Sequence, residues 1–130
     1  MAHDGFTILF RDIVPDEKEV ISEKLREWCD GGKIDLILTT GGTGLGPRDV
    51  TPEATRSVIE MEASGIAEAM RNETSKNTPM AVLSRSVVGL RAGCLIINLP
   101  GSPRGVRECL DVVIKVIPHA LEMVKGWRTH

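Results

Sequence analysis

Residues 34–55 read Ile-Asp-Leu-Ile-Leu-Thr-Thr-Gly-Gly-Thr-Gly-Leu-Gly-Pro-Arg-Asp-Val-Thr-Pro-Glu-Ala-Thr, and the rest of the chain is organised around them. Residues 34–38 are a short apolar run of Ile and Leu broken by one Asp, which predicts a buried strand. Thr39 and Thr40 end it. Gly41, Gly42, Gly44 and Gly46 then suit a loop that adopts positive φ and lets backbone N–H groups approach a ligand. Arg48 and Asp49 lead into a helix start, with Thr51 as N-cap, Pro52 at the first helical position and Glu53 close behind. Strand, glycine loop and helix is a layout that cradles phosphate at the carboxyl edge of a parallel sheet. A tight strand-to-helix turn without a ligand would use the same glycines. Paired threonines, an arginine and an aspartate in one loop favour binding.

Two common phosphate loops are excluded. A Walker A loop needs Gly-Lys-Ser/Thr after its glycines, and here Pro47 follows Gly46. The dinucleotide fingerprint G-x-G-x-x-G does not fit either, because Pro47 stands where the third glycine would fall. Composition narrows the rest. At 130 residues, 42% apolar and 26% charged, the chain is one globular domain spanning 1–130, with no repeat or linker. A net charge of −2, scattered basic residues and only Phe6, Phe10, Trp28 and Trp127 as aromatics argue against a nucleic-acid surface. Cys29, Cys94 and Cys109 form no C-x-x-C pair, so core thiols in a reducing compartment are expected rather than zinc ligands or disulfides. No apolar run approaches membrane-spanning length and no signal peptide is visible, so the cytoplasm is the expected location.

Outward from the glycine loop, the chain alternates strands and helices. Residues 6–10 read as a strand continuing through Asp12-Ile13-Val14 to Pro15. Asp16-Glu17 opens a helix that places Val20, Ile21, Leu25, Trp28 and Cys29 on one face before Gly31-Gly32 stops it. With the strand at 34–38 this predicts a parallel β-α-β unit. A helix is expected over 52–63, broken by Gly65, with another over 66–75. Short strands are expected at 80–84 and 86–91, a turn at Ala92-Gly93 and a buried strand at 94–99. Ser102-Pro103 repeats the N-cap signature, Pro118 should kink or restart the last helix, and Gly126 should close it. The pattern predicts α/β: a three-layer α/β/α domain with a central, mostly parallel sheet.

Both loops that follow buried strands, 39–51 and 98–103, should open at the same sheet edge. The second carries Asn98, Pro100, Gly101 and Ser102, and would place a second helix N-terminus in the cleft, a layout suited to polyphosphate. Read alone, it is also an ordinary β-α turn. Asp16 and Asp49 both follow strands on this edge. Two carboxylates beside a phosphate ligand would hold a divalent cation such as Mg²⁺, or each could simply cap its own loop. Arg48 could clamp phosphate or sit in solvent beside Asp49. Ser84, Arg85 and Ser86 could line a pocket or end a strand. His3 and His130 at the termini, and His119 on the last helix, are expected to play no part.

The stretch LILTTGGTGLGPRDVTPEAT, extended by IVPDE at 13–17, LSRS at 83–86 and LIINLPGSP at 95–103, resembles the molybdopterin-binding MogA/MoaB family, and within it the G domain of gephyrin and its plant counterpart. The resemblance implies a molybdopterin adenylyltransferase that joins molybdopterin to ATP and releases pyrophosphate, with a homotrimeric assembly. Thr40, Gly41, Gly42, Thr43, Gly44, Arg48, Ser84, Arg85 and Ser86 would then hold molybdopterin, and Asn98, Pro100, Gly101 and Ser102 would contact the nucleotide. Asp16 and Asp49 would be the acidic catalytic residues holding Mg²⁺. Two other functions stay open: a molybdopterin-binding or gephyrin-like scaffold module with little activity, and a nucleotide pyrophosphatase of the CinA type. The run Arg48-Asp49-Val50-Thr51-Pro52-Glu53 favours the adenylyltransferase branch. One departure stands out. Members of the family carry a further strand, a Ser-Asp loop and a helix ahead of the segment that begins here at residue 6, and no match to them is seen. A shortened start would expose a sheet edge and remove one wall on the nucleotide side.

Overall fold

The strand Cys94–Leu99 (β6) is buried at every position and feeds two separate cores. Successive side chains on a strand point to opposite faces. Cys94 and Ile96 therefore enter one apolar cluster while Leu95, Ile97 and Leu99 enter the other. Each fully buried Ile or Leu contributes about 1.5–3 kcal/mol by removal from water, so this strand is a main source of stability. A computed structural model describes residues 2, 3 and 5–128, and His130 lies outside them.

In chain order the elements are β1 (Ala2–His3), β2 (Phe6–Thr7), α1 (Lys18–Asp30), β3 (Leu36–Thr40), α2 (Thr51–Arg56), β4 (Met61–Glu62), α3 (Ser64–Thr74), a 3₁₀ helix (Pro79–Leu83), β5 (Val88–Arg91), β6, α4 (Pro103–Val113) and α5 (Ile117–Arg128). The main sheet has the order β3-β6-β5-β4. Helices α1 and α2 cover one face through Ile21, Leu25, Cys29 and Ala54. Helices α3, α4 and α5 cover the other through Ala67, Met70, Cys109, Val113 and Ile117. The α/β architecture with helices on both faces is as the sequence predicts. All three cysteines are buried thiols, as expected of core residues.

The sheet is mixed rather than mostly parallel. β3 runs parallel to β6, with Leu36 opposite Leu95 and Thr40 opposite Leu99. β5 is antiparallel to β6, and β4 to β5. The cause is local. Ala92 and Gly93 have φ of 50° and 78°, the pair of positive angles that a two-residue hairpin of matching twist requires, and such a hairpin makes its strands antiparallel.

Other boundaries move for equally local reasons. The expected helix over 52–63 stops at Arg56, where the Val58 N–H donates to the Thr55 carbonyl at 3.1 Å in a tighter i→i−3 turn. The chain is then drawn onto β5, where Glu60 N–H donates to Leu90 O at 2.7 Å and Ala63 N–H to Val88 O at 2.8 Å. Gly65 lies inside α3 instead of breaking a helix. Residues 80–84 are not a strand: Pro79 opens a 3₁₀ helix that leaves Met80 and Val82 exposed. Pro118 sits in the first turn of a restarted helix, as one of its two expected roles, and that helix runs through Gly126 to Arg128.

The largest difference is at 6–15. Only Phe6–Thr7 forms a strand, and it pairs antiparallel with Ala2–His3 outside the main sheet. The expected β-α-β unit with β3 is therefore absent. The segment is held by side chains instead. Phe6 packs on the α3–α5 core and Val14 on the α1–α2 core. Phe10 lies against Trp28 with ring centroids 5.8 Å apart, and Asp12 pairs with Lys24 at 3.1 Å. Ile8, Leu9 and Ile13 remain exposed.

One polar side chain is built into the core. Asn98 is fully buried on β6. Its Nδ2 donates to the hydroxyls of Thr39 and Thr55, both at 3.0 Å, and its Oδ1 accepts from the Val87 N–H at 3.1 Å. Strand β3, helix α2 and the chain entering β5 are thereby tied at one point. Asn98→Leu strands a buried N–H donor, so unfolding in urea should show a loss of about 1–3 kcal/mol.

Candidate functional site

The parallel ladder of β3 and β6 brings their two following loops to one sheet edge. Gly41 N–H donates to Leu99 O at 3.0 Å, and a Cβ on Gly101 would lie 3.4 Å from the Gly41 Cα. The glycine loop and the 98–103 loop thus touch, as the sequence predicts. The next helix begins with a side-chain cap: Gly105 N–H donates to Ser102 Oγ at 3.0 Å.

The glycine loop is held in one shape by its own polar groups. Gly41 and Gly42 have φ of 87° and 70°, where only glycine is relaxed. Thr51 N–H donates to Gly42 O at 3.2 Å, and a Cβ on Gly42 would stand 2.4 Å from Thr51 Oγ1. Asp49 folds its carboxylate under the loop. Gly46 N–H donates to Asp49 Oδ2 at 2.9 Å, and a Cβ on Gly44 would stand 2.8 Å from that same oxygen. Gly44 is thus required for space and not for its backbone angle.

Arg85 closes the loop from the other side. Its backbone N–H donates to Thr43 O at 2.8 Å, its Nε to Gly44 O at 2.8 Å and its Nη2 to Asp49 O at 2.7 Å. The rest of the guanidinium pairs with the Glu53 carboxylate. That pair pulls the Glu53 carboxyl below the usual range and raises Arg85. Arg85 was expected to touch a ligand. In this structure most of its donors go to the loop backbone and to Glu53 on α2. Asn98, expected to touch nucleotide, is buried here and its amide bonds Thr39, Thr55 and the Val87 N–H inside the fold.

Beside these loops lies a cleft of about 300 Å³. Thr43, Gly44, Ser84, Ser86, Pro100 and Ser102 line it, so six of the expected site residues share one cavity. The Ser84 and Ser86 hydroxyls lie 2.9 Å apart. Thr40 at the end of β3, and Gly41, Gly42, Arg48 and Gly101 on the adjoining loops, stand outside the cleft lining, with Arg48 exposed. The rest of the lining was not foreseen. It comes from α3, the 3₁₀ helix and α4, with Met70, Arg71 and Thr74, then Met80, then Arg104 and Cys109. One signal was available for Arg71. Ala67, Met70 and Thr74 are the buried stripe of α3, and Arg71 falls within that stripe at helical spacing. Burial pushes the Cys109 thiol up, with Glu108 adding to the effect.

Asp16 and Asp49 precede α1 and α2, and those helices start at the same end. Arg91 joins their far ends, donating to Val58 O at 2.9 Å and to both Asp30 oxygens at 3.1 Å, while Ser22 Oγ donates to Ala54 O at 3.3 Å nearer their starts. Asp16 is exposed and Asp49 half-buried. Among the described residues no group of three or more His, Cys, Asp or Glu gathers as a metal cage. Magnesium in phosphate sites is held by one or two carboxylates with phosphate and water oxygens. Of the Asp49 carboxylate, Oδ2 accepts from the Gly46 N–H, and Asp16 is exposed at the approach to α1.

Two substitutions test the loop. Gly42→Ala and Gly44→Val both force the loop open, and titration should show ligand affinity falling at least about tenfold while the far-UV spectrum stays native. The Arg85–Glu53 pair predicts a pH effect. Because folding lowers the Glu53 pKa, its contribution is complete above the ordinary glutamate value of about 4.3 and is lost as pH falls through the lowered folded value. The melting-temperature gap between wild type and Glu53→Gln should be constant at neutral pH and close below about pH 4.

Comparison with known proteins identifies the family. A family model described as "Probable molybdopterin binding domain" matches residues 1–119. The molybdopterin adenylyltransferase of Helicobacter pylori J99 is 45% identical over 115 residues, covering 88% of this chain and 65% of the relative. Gephyrin of Dictyostelium discoideum is 47% identical over 114 residues, covering 88% of this chain and 16% of gephyrin. The chain thus spans less than two thirds of the length of either protein. Among solved structures, the molybdopterin biosynthesis enzyme MoaB of Thermus thermophilus superposes with a TM-score of 0.80 at 56% identity, covering 86% of this chain and 70% of that one. A fold with a glycine loop and a Ser-Pro-capped helix at one edge, and a match over nearly its whole length, place this chain in the MogA/MoaB family of molybdopterin-binding domains of molybdenum cofactor biosynthesis.

Proposed function

We propose that this chain adenylylates molybdopterin: the terminal phosphate oxygen of molybdopterin attacks the α-phosphorus of ATP, the bond to the β-phosphate oxygen breaks, and pyrophosphate leaves. The observation that carries this reading is the meeting of two phosphate-type loops at Gly41 and Gly101 beside a 300 Å³ cleft. One loop alone would hold one anion, whereas the reaction needs two held against each other. Identity of 45% to a protein named molybdopterin adenylyltransferase supports it.

The chain's part is positioning and charge neutralisation, since phosphoryl chemistry asks little covalent work of the protein. Thr43, Gly44, Ser84 and Ser86 would hold molybdopterin in the cleft. Pro100, Gly101 and Ser102 would present the start of α4 to the nucleotide, and Arg48 on the rim would draw in phosphate. Asp16 and Asp49 would hold Mg²⁺, which supplies charge neutralisation at the phosphates. A homotrimer in the cytoplasm is part of the same reading. No helix among the described residues is long and apolar enough to cross a membrane.

The test is direct: the chain, molybdopterin and Mg²⁺-ATP, with detection of adenylylated product. Binding without product would favour a molybdopterin-binding module instead. Asp49→Asn keeps an acceptor for the Gly46 N–H and removes the charge. It should retain molybdopterin affinity while product formation falls about a hundredfold or more. Near-normal turnover in this variant would remove Asp49 from any metal role.

A further inference from the structure

The cleft is lined by two arginines that differ in how their charge is met. Arg104 Nε donates to Glu108 Oε1 at 2.9 Å, and Glu108 also lines the cleft, so this pair adds no net charge. Arg71 has no carboxylate partner among the described residues. Its Nη1 donates to two backbone carbonyls, Ser86 O at 3.2 Å and Ser84 O at 3.4 Å. Those are the residues whose hydroxyls lie 2.9 Å apart on the same wall. The carbonyl bonds orient the guanidinium without cancelling its charge, and its Nε and Nη2 donors find no other partner among the described residues. A half-buried cation whose plane is fixed, and whose donor fork is unfilled, is matched to an oxyanion that accepts two N–H bonds.

We propose that Arg71 is a substrate-contacting residue that binds a phosphate group of the ligand, with the Ser84 and Ser86 hydroxyls beside it. This deepens, and rests on, the adenylyltransferase reading above. Both molybdopterin and ATP carry phosphate, and separate titrations identify which one Arg71 meets.

Wild type, Arg71→Met and Arg71→Lys are titrated with molybdopterin, with enzymatically dephosphorylated molybdopterin, with ATP and with inorganic phosphate. Arg71→Met should weaken molybdopterin or ATP about ten- to a hundredfold, as expected for hydrogen bonds to a charged group, and Arg71→Lys should recover part of the loss. Dephosphorylated molybdopterin should bind wild type and Arg71→Met equally. An equal loss with that ligand would mean that Arg71 only braces the Ser84–Ser86 wall, and the proposal fails. It fails too if no phosphate-bearing ligand responds. If wild type ignores molybdopterin yet binds ATP or inorganic phosphate in an Arg71-dependent way, the adenylyltransferase reading fails and the role of Arg71 stands.

Discussion

The parallel ladder between β3 and β6 is the constraint on which the site depends. Because the two strands point the same way, the loops after Thr40 and Leu99 leave the sheet at the same edge, close enough for a Gly41 N–H to bond the Leu99 carbonyl at 3.0 Å. Each loop then ends in a helix whose first N–H groups lack partners inside the helix. Every other feature of the site is support for keeping those two chain turns in fixed relation.

That support is polar and sits where a hydrophobic core alone could not give a unique geometry. Asn98 replaces an apolar residue on the central strand and collects Thr39, Thr55 and Val87 around one amide. A fully satisfied buried network costs little and fixes register, whereas a partly satisfied one would be expensive. No buried side-chain nitrogen or oxygen among the described residues lacks a partner, so the network is complete. On the loop side Arg85 does comparable work with backbone carbonyls. Its ion pair with Glu53 is partly exposed, so its worth lies in placing Gly44 and Asp49 more than in raw stability.

The arginines show how similar residues take different tasks. Arg91 joins the ends of α1 and α2 through Asp30 and the Val58 carbonyl. Arg85 shapes the glycine loop, and Arg104 is matched by Glu108. Arg71 is braced by the Ser84 and Ser86 carbonyls and has no carboxylate partner among the described residues. In a chain of net charge −2, any local positive field has to come from cations that nearby carboxylates do not cancel.

By itself, the sequence determined the α/β class, the glycine loop between a strand and a helix, the Ser102-Pro103 helix start and the family. Each of these is encoded over a few adjacent residues by turn chemistry, capping and apolar runs. Even the mixed sheet was legible in principle, since Ala92-Gly93 is a two-residue hairpin and a hairpin forbids parallel neighbours. What only the tertiary structure decided depends on partners far along the chain. Residues 6–15 carry a strand-like pattern, but a strand needs a neighbour, and this segment is held by Trp28 and Lys24 side chains instead. Arg85 and Asn98 look like ligand contacts beside their motifs. Their actual partners, Glu53 at 32 residues' separation and Thr39 at 59, become neighbours only when the sheet forms. Arg71 is the converse case: it lies in no motif, and the fold sets it on the cleft wall with its charge unmet.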